Sequence, residues 1–197
     1  RIKRFPEFRL FKSVTKLTSQ LNGLSQLEEV RMPYALKTIG SNAFDGCSNL
    51  KEITITSKVT NIEHHPFYGS AIETINVDPS NTEYRCRDNV LFTVNNALVA
   101  YPNGRQDDEE ITISGVVSSI EEGAFYQLPK LKKLFFDLDD YNRVIPELWE
   151  GGIETADGSL IDVYVKDATF DQQVYNEMLE DYSWETYAQA NRLHRYY

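Results

Sequence analysis

The feature that most constrains this chain of 197 residues is a repeat with a period of 23 residues. A helix requires apolar residues three and four apart and a strand requires strict alternation, and neither pattern describes the whole repeat unit. The spacing predicts one coil of a solenoid, because such a coil buries its apolar side only against the next coil. The coinciding apolar pairs are Leu27/Leu50, Val30/Ile53, Met32/Ile55, Ile39/Ile62 and Phe44/Phe67.

The same unit recurs on both sides of this segment. Residues 111–136 repeat it, and at the beginning of the chain Phe8 and Leu10 take the place of the inward strand residues. Each unit consists of a short apolar-x-apolar strand, an Ile or Leu seven residues later, a small residue followed by Phe, and a turn. The pattern predicts about six coils whose strands form a parallel sheet.

Two segments depart from the repeat. "NVLFTVNNALVAY" places two apolar strands around Asn95 and Asn96, which predicts an inserted hairpin at about 88–104 that projects from the edge of the stack. Near the end, "IDVYV" (161–165) alternates as a last strand. Phe170, Val174 and Met178 then recur every four residues, which predicts a helix that caps the last coil. The solenoid is expected to span 1–165, and 166–197 to form the capping helix and a tail that extends it or frays, within the same domain.

The units "IGSNAFDGCSNL" and "IEEGAF" resemble the BspA-like leucine-rich repeat family, and the resemblance covers about residues 8–136. Pro66 replaces the usual small residue before Phe67, and the first coil has Leu where Phe is usual. The resemblance implies an α/β solenoid with a parallel sheet, an inserted hairpin and a C-terminal helix. It also implies a non-enzymatic module, on a bacterial or protozoan cell surface or secreted, for adhesion or contact with a host or extracellular-matrix protein.

Alternative functions remain open at this point. A carbohydrate-binding accessory protein would need Phe135, Tyr164, Tyr101 and Tyr126 to line one groove. The chain could equally be a structural spacer of a larger surface protein, or a domain whose catalytic part lies outside these residues. It starts at Arg1 rather than Met, so we interpret it as a processed or trimmed piece without its targeting signal.

Composition and motifs exclude several function classes. A net charge of -10 argues against nucleic acid or an anionic membrane as the main partner, and no apolar run approaches the roughly 20 residues of a membrane helix. No nucleophile elbow, phosphate loop, dinucleotide fingerprint or zinc-protease motif occurs, so we expect neither an enzyme nor a cofactor.

His64 and His65 match solvent-facing positions of the preceding coil, so we expect no metal there. We expect Cys47 to be a buried free thiol and Cys86 to be partly exposed, although a bridge between them stays open.

The outer face of the sheet is the candidate ligand-binding surface. Because side chains alternate along a strand, the residues between the inward apolar positions should point outward in two columns about 25 Å long. Such a face commonly recognises partners in solenoids, but every soluble sheet also needs a polar side, so both interpretations stay open here. The candidate residues are Glu29, Arg31, Glu52, Thr54, Asn76, Thr112, Phe135 and Tyr164.

Overall fold

The computed structural model describes residues 2–126, 128–137, 147–148, 153, 161–166, 180, 184 and 192–196. These residues form a β-solenoid of about six turns. The chain divides into two compact units: unit 1 comprises Arg1–Asn95 and Val99–Arg105, and unit 2 comprises Asn96–Leu98 and Gln106–Tyr197.

Unit 1 is built from short strands that recur in each coil. The strands are β1 Arg4–Phe5, β2 Lys16–Leu17, β3 Glu29–Val30, β4 Thr38–Ile39, β5 Glu52–Ile55, β6 Asn61–Ile62, β7 Thr74–Val77, β8 Tyr84–Arg87 and β9 Val90–Thr93. A 3-10 helix at Pro6–Leu10 follows β1. The first strands of the coils pair in parallel as β1 with β3 and β5 with β7, and the second strands form the three-stranded sheet β2–β4–β6.

The predicted register holds in the central coils. In β5, Ile53 and Ile55 are buried whereas Glu52 and Thr54 are exposed, and Ile53 pairs with Ile75 of the next coil. Phe44 and Phe67, which are 23 residues apart, are both completely buried, with ring centroids 6.1 Å apart. The repeat therefore places equivalent side chains in one core.

A column of glycines runs through the turns at the same period. Gly46 has φ +75° and Gly69 has φ +65°, and the N–H of Gly46 donates a hydrogen bond to the carbonyl of Gly69. A Cβ atom on Gly46 would lie 3.0 Å from the backbone of Gly23. Both the left-handed conformation and the close stacking of the turns therefore require glycine.

Ion pairs join equivalent positions of successive coils at the surface. Lys3 contacts Glu28 at 2.9 Å and Lys51 contacts Glu73 in unit 1, and Lys132 contacts Glu109 at 2.9 Å in unit 2. In a parallel stack, like charges at equivalent positions would lie about 4.8 Å apart and repel each other. The alternation of sign between coils removes this repulsion, although each exposed pair adds little stability.

The first coil and the hairpin differ from the prediction. β1 is Arg4–Phe5, and Phe5 pairs with Val30, whereas Leu10 lies at the end of the 3-10 helix and is exposed. The predicted strand at Phe8 and Leu10 is therefore wrong, because the residues from Pro6 to Leu10 form the helix, which packs Phe8 against Phe5 with ring centroids 5.2 Å apart.

The predicted hairpin exists, but it does not project from the stack. β9 is connected through Asn95 and Asn96 to β10, Ala97–Ala100, and β9 also pairs antiparallel with β8, so the insertion has three strands. All four residues of β10 are buried, as are Leu91 and Phe92 of β9. Because successive side chains of a strand point to opposite faces, burial of all four residues means that β10 is covered on both faces. A hairpin that projected into solvent would not be covered in this way.

Unit 2 continues the coil pattern. β11 Glu110–Ser114, β13 Lys133–Asp137, β15 Asp162–Lys166 and β16 Leu193–Tyr196 form a parallel four-stranded sheet. β12 Ser119–Ile120 lies between β10 and β14 Glu147–Leu148 in a second sheet. Ile113, Phe125, Leu134, Phe136 and Trp184 are among the buried side chains.

The structure describes only part of the C-terminal segment for which a capping helix and a tail were predicted. The predicted capping helix falls almost entirely outside the described residues, and among those described α-helical geometry is confined to Glu180. The α/β character is therefore not supported. The tail prediction was wrong for Leu193–Tyr196, which neither extends a helix nor frays but adds a strand to the sheet beside β15.

Candidate interaction surface

In unit 1, the candidate residues lie on the outer face of the first strands. Arg31, Thr54 and Asn76 are exposed, and Thr54 is the direct parallel partner of Asn76. Glu52 accepts a hydrogen bond of 2.7 Å from the side-chain amide of Asn76. Glu29 is only partly exposed. Unit 1 thus brings together five of the eight candidate side chains.

A shallow depression of about 260 Å³ lies on this face between β3 and β5. These two strands belong to different two-stranded sheets, so the sheet is interrupted at this point. Pro33, which has no N–H to donate to a ladder, lies three residues after the end of β3. The residues that line the depression are Glu28, Glu29, Val30, Arg31, Glu52, Ile53 and Thr54.

The charges around this depression are partly compensated. Glu29 forms an ion pair with Arg4 of the preceding coil and lies 3.8 Å from the guanidinium of Arg31. Glu28 is paired with Lys3. Glu52, in contrast, accepts from a neutral amide, so it keeps a carboxylate charge that a basic group could neutralise. The depression therefore combines exposed carboxylates, one guanidinium and a threonine hydroxyl.

In unit 2, outward aromatic side chains form a stacked column. Phe135 and Tyr164 are direct parallel partners, and their ring centroids are 4.7 Å apart with an angle of 17° between the planes. Tyr164 stacks in turn on His194, with 4.8 Å between centroids and an angle of 28°. Thr112, the partner of Phe135 on β11, is exposed. The parallel register is what places one ring above the next.

A charged column runs along the aromatic one. Lys133 donates to Glu110 at 2.5 Å, and Asp162 accepts from Arg192 at 3.1 Å and lies 3.1 Å from Nε2 of His194. Partial burial raises the pKa of Asp162, but the hydrogen bonds from His194 and Arg192 outweigh this effect, so the pKa of Asp162 lies below its usual value. This carboxylate therefore fixes the imidazole beside Tyr164.

His194 is the member of this surface that the sequence interpretation missed. Four alternating residues, Leu193–Tyr196, are too short for a clear strand signal, and the preceding residues had suggested a helix. One signal for this strand was present in the sequence, namely its distance from the preceding strand. Arg192 follows Asp162 by nearly the same number of residues as Asp162 follows Lys133, which is the spacing expected of one more coil.

The aromatic groove of the carbohydrate hypothesis is not assembled from all four proposed rings. Tyr101 is 4% exposed and lies under the guanidinium of Arg105, 5.1 Å from its carbon. Tyr126 is partly buried. Tyr101 is therefore not available as part of a sugar platform.

Both cysteines of the chain are free. Cys47 is buried and free, as predicted, and burial raises its pKa to about 11. Cys86 is free and partly exposed, as predicted. In the part of the chain that the structure describes, no three His, Cys, Asp or Glu side chains come together to hold a metal ion. Within those same residues, no helix has the length and apolar character needed to cross a bilayer.

Comparison with known proteins identifies the repeats of the N-terminal part of the chain. Residues 3–96 match the family model for the BspA type leucine rich repeat region, in six copies. A comparison with curated protein sequences finds no match.

Two solved structures share the fold. The pneumococcal vaccine antigen PcpA aligns with a TM-score of 0.58 and 19% identity, over 85% of this chain and 41% of that chain. A leucine rich cell surface protein from Faecalibacterium prausnitzii aligns with a TM-score of 0.53 and 21% identity, over 79% of this chain and 52% of that one. The chain thus spans about half the length, or less, of these relatives. The repeats in residues 3–96 are therefore members of the BspA-type leucine-rich repeat family.

Proposed function

We propose that this chain is a non-enzymatic recognition module, on a cell surface or secreted, that binds a protein partner through the outer face of its sheet. The observation that carries the proposal is the outward column Phe135–Tyr164–His194 beside the charged column Glu110–Lys133–Asp162. Fixed aromatic side chains surrounded by compensated charges are typical of the energetically dominant part of protein interfaces. The family match, and the fact that one structural relative is a leucine rich cell surface protein, support the same class of function.

The stacking favours a protein over a carbohydrate. A sugar ring packs on the open face of an aromatic side chain, but Phe135 and Tyr164 cover each other's faces. One face of His194 is likewise against Tyr164. Both faces of Tyr164 are therefore covered, so the central ring of the column offers its edge rather than a face, which suits side-chain packing with a polypeptide.

A binding panel tests the proposal. Purified extracellular-matrix proteins and soluble polysaccharides would be presented to the immobilised chain at low and at high salt. We expect saturable binding of a protein and no binding of the polysaccharides. Tyr164→Ala should weaken that binding by about thirtyfold, the effect of losing a contact of about 2 kcal/mol.

Matched variants make the outcome decisive. Tyr126→Ala removes a partly buried tyrosine that is not on a strand of the sheet, and its binding should remain within about twofold of the wild type. Arg31→Glu tests the depression of unit 1, with Lys58→Glu as the control on an exposed loop. Polysaccharide binding that Tyr164→Ala abolishes would replace the protein proposal by the carbohydrate one. No binding to either class would favour a structural spacer.

A further inference from the structure

The N-terminal part of unit 1 has a charge opposite to that of the whole chain. Residues 2–16 contain five basic side chains and one acidic side chain, Glu7, whereas the chain as a whole has a net charge of -10. Lys3, Arg4 and Lys16 form ion pairs with glutamates of other coils. For the remaining two, Arg9 and Lys12, no carboxylate of the described residues lies within ion-pair distance.

Exposed apolar side chains concentrate in the same region. Leu10 is 59% exposed, Phe11 is 48% exposed and Tyr34 is 64% exposed. With Ile2, these residues are four of the five large apolar side chains that are exposed in the described part of the chain, and Val94 is the fifth. Singly exposed apolar residues are ordinary, but a group of them with basic neighbours indicates an interaction site.

Backbone and ring contacts hold these side chains in place. The N–H of Phe11 donates to the carbonyl of Phe8 at 3.1 Å, and the Phe11 ring lies 5.6 Å from that of Phe8 and 5.9 Å from that of Phe5. The N–H of Tyr34 donates to the carbonyl of Arg9 at 3.3 Å, which places the next coil beside this loop. We name Arg9, Leu10, Phe11, Lys12 and Tyr34 the basic–apolar patch.

We propose that the basic–apolar patch binds the surface of an anionic lipid membrane. Leucine and phenylalanine side chains enter the acyl boundary, tyrosine prefers the headgroup level, and lysine and arginine attract anionic headgroups. The basic and exposed apolar side chains lie side by side, which matches the anionic headgroups and the acyl chains that a lipid surface presents together. Glu7 is the one acidic side chain of this segment, and salt screens exposed charges that lie more than about 8 Å apart at physiological ionic strength. Such peripheral contact requires no spanning helix, and the average charge of the sequence conceals it.

Cosedimentation with vesicles tests this proposal directly. The chain would be mixed with vesicles of phosphatidylcholine alone and with vesicles of equal parts phosphatidylcholine and phosphatidylglycerol, at low and at high salt. We expect binding to the anionic vesicles at low salt, and at least about tenfold weaker binding to the neutral ones. Arg9→Glu combined with Lys12→Glu should reduce binding to the anionic vesicles by about tenfold or more, and Leu10→Ser combined with Phe11→Ser should also reduce it.

Control variants and a competing ligand separate the explanations. Lys58→Glu and Val94→Ser change an exposed charge and an exposed apolar side chain elsewhere, and they should leave vesicle binding unchanged. Circular dichroism of each variant confirms that the fold is retained. Equal binding to both kinds of vesicle, or binding that the patch variants do not alter, would overturn the proposal. Capture by poly-L-glutamate through the patch without vesicle binding would also overturn it, in favour of an acidic polypeptide.

Discussion

Replacement of Phe67 by alanine probes the core that the repeat creates. The Phe67 side chain is completely buried, and its ring packs against that of Phe44 from the preceding coil. Truncation of a buried phenylalanine removes its transfer free energy and leaves a cavity, which together cost about 3 to 5 kcal/mol. We therefore expect Phe67→Ala to lower the free energy of unfolding by this amount.

The contact between the Phe44 and Phe67 rings gives a second energy that can be measured. An aromatic pair contributes about 0.5 to 1.5 kcal/mol beyond the area that it buries. A double-mutant cycle with Phe44→Ala and Phe67→Ala should therefore show a coupling energy of about 1 kcal/mol. Tyr34→Ala is the control, because that side chain is 64% exposed and its loss should cost no more than about 0.5 kcal/mol.

Urea unfolding followed by two signals measures these values. Far-ultraviolet circular dichroism reports on both units, whereas the two tryptophans, Trp149 and Trp184, belong to unit 2 and their fluorescence reports on that unit. Phe67→Ala should shift the circular dichroism transition to lower urea, and a smaller shift in fluorescence would indicate that the units unfold separately. A loss below about 1 kcal/mol would refute the assignment of Phe67 to the core of the coil.

The remaining predictions concern single groups. Gly46→Ala should cost at least about 1 to 2 kcal/mol in thermal or urea unfolding, because alanine would adopt a left-handed conformation against the backbone of Gly23, and unchanged stability would contradict this. Asn81→Ala should cost about 2 to 4 kcal/mol, because its amide donates to the carbonyls of Thr56 and Val59 and its oxygen accepts from the N–H groups of Glu83 and Tyr84; a loss below about 1 kcal/mol would show that these bonds are replaced by water. Ellman's reagent at pH 8 should modify Cys86 before Cys47, since Cys47 is buried and its pKa is raised to about 11; Cys47 should react only as the protein unfolds, and early labelling of Cys47 would oppose this account. Because the pKa of Asp162 is lower in the folded state, its stabilising effect is present above the unfolded value of about 3.9 and is lost as the pH falls through the folded value; the stability difference between wild type and Asp162→Asn should therefore shrink in acid, whereas a difference independent of pH would contradict the ion pairs.

The sequence was most informative where period and alternation agree. Ile53, Ile55 and Ile75 were predicted to be inward and Thr54 and Asn76 outward, and the structure has them so. Each of these strands has a polar residue between apolar ones and repeats after one coil, so two independent patterns lead to the same orientation. The recognition of the family depends on the same residues.

Local contacts explain the predictions that were wrong. At the first coil, Phe8 and Leu10 alternate like a strand, but the contact of Phe8 with Phe5 accompanies a 3-10 helix. In the hairpin, the signals of the turn were read correctly, whereas the burial of β10 depends on neighbours that no short segment of sequence contains. The same holds for the aromatic column, since His194 reaches Tyr164 only through strand pairing over 30 residues.

The depression of unit 1 also depends on strand pairing that the sequence pattern does not give. Glu29, Arg31, Glu52 and Thr54 were predicted as outward residues of one unbroken face, but the interruption between β3 and β5 makes them the walls of a depression. An alternation pattern gives the side on which a residue lies, and it does not give the pairing of neighbouring strands.

Methyl nuclear Overhauser spectroscopy tests the central claim, the parallel stacking of coils, most directly. With Ile, Leu and Val methyl groups labelled, the register predicts cross-peaks between Ile53 and Ile75, between Ile39 and Ile62, and between Ile111 and Leu134. These contacts join residues that are 22 or 23 positions apart and cannot arise within a helix or a local hairpin. Cross-peaks confined to residues three or four apart, without the contacts between coils, would contradict the solenoid and every surface argued from it.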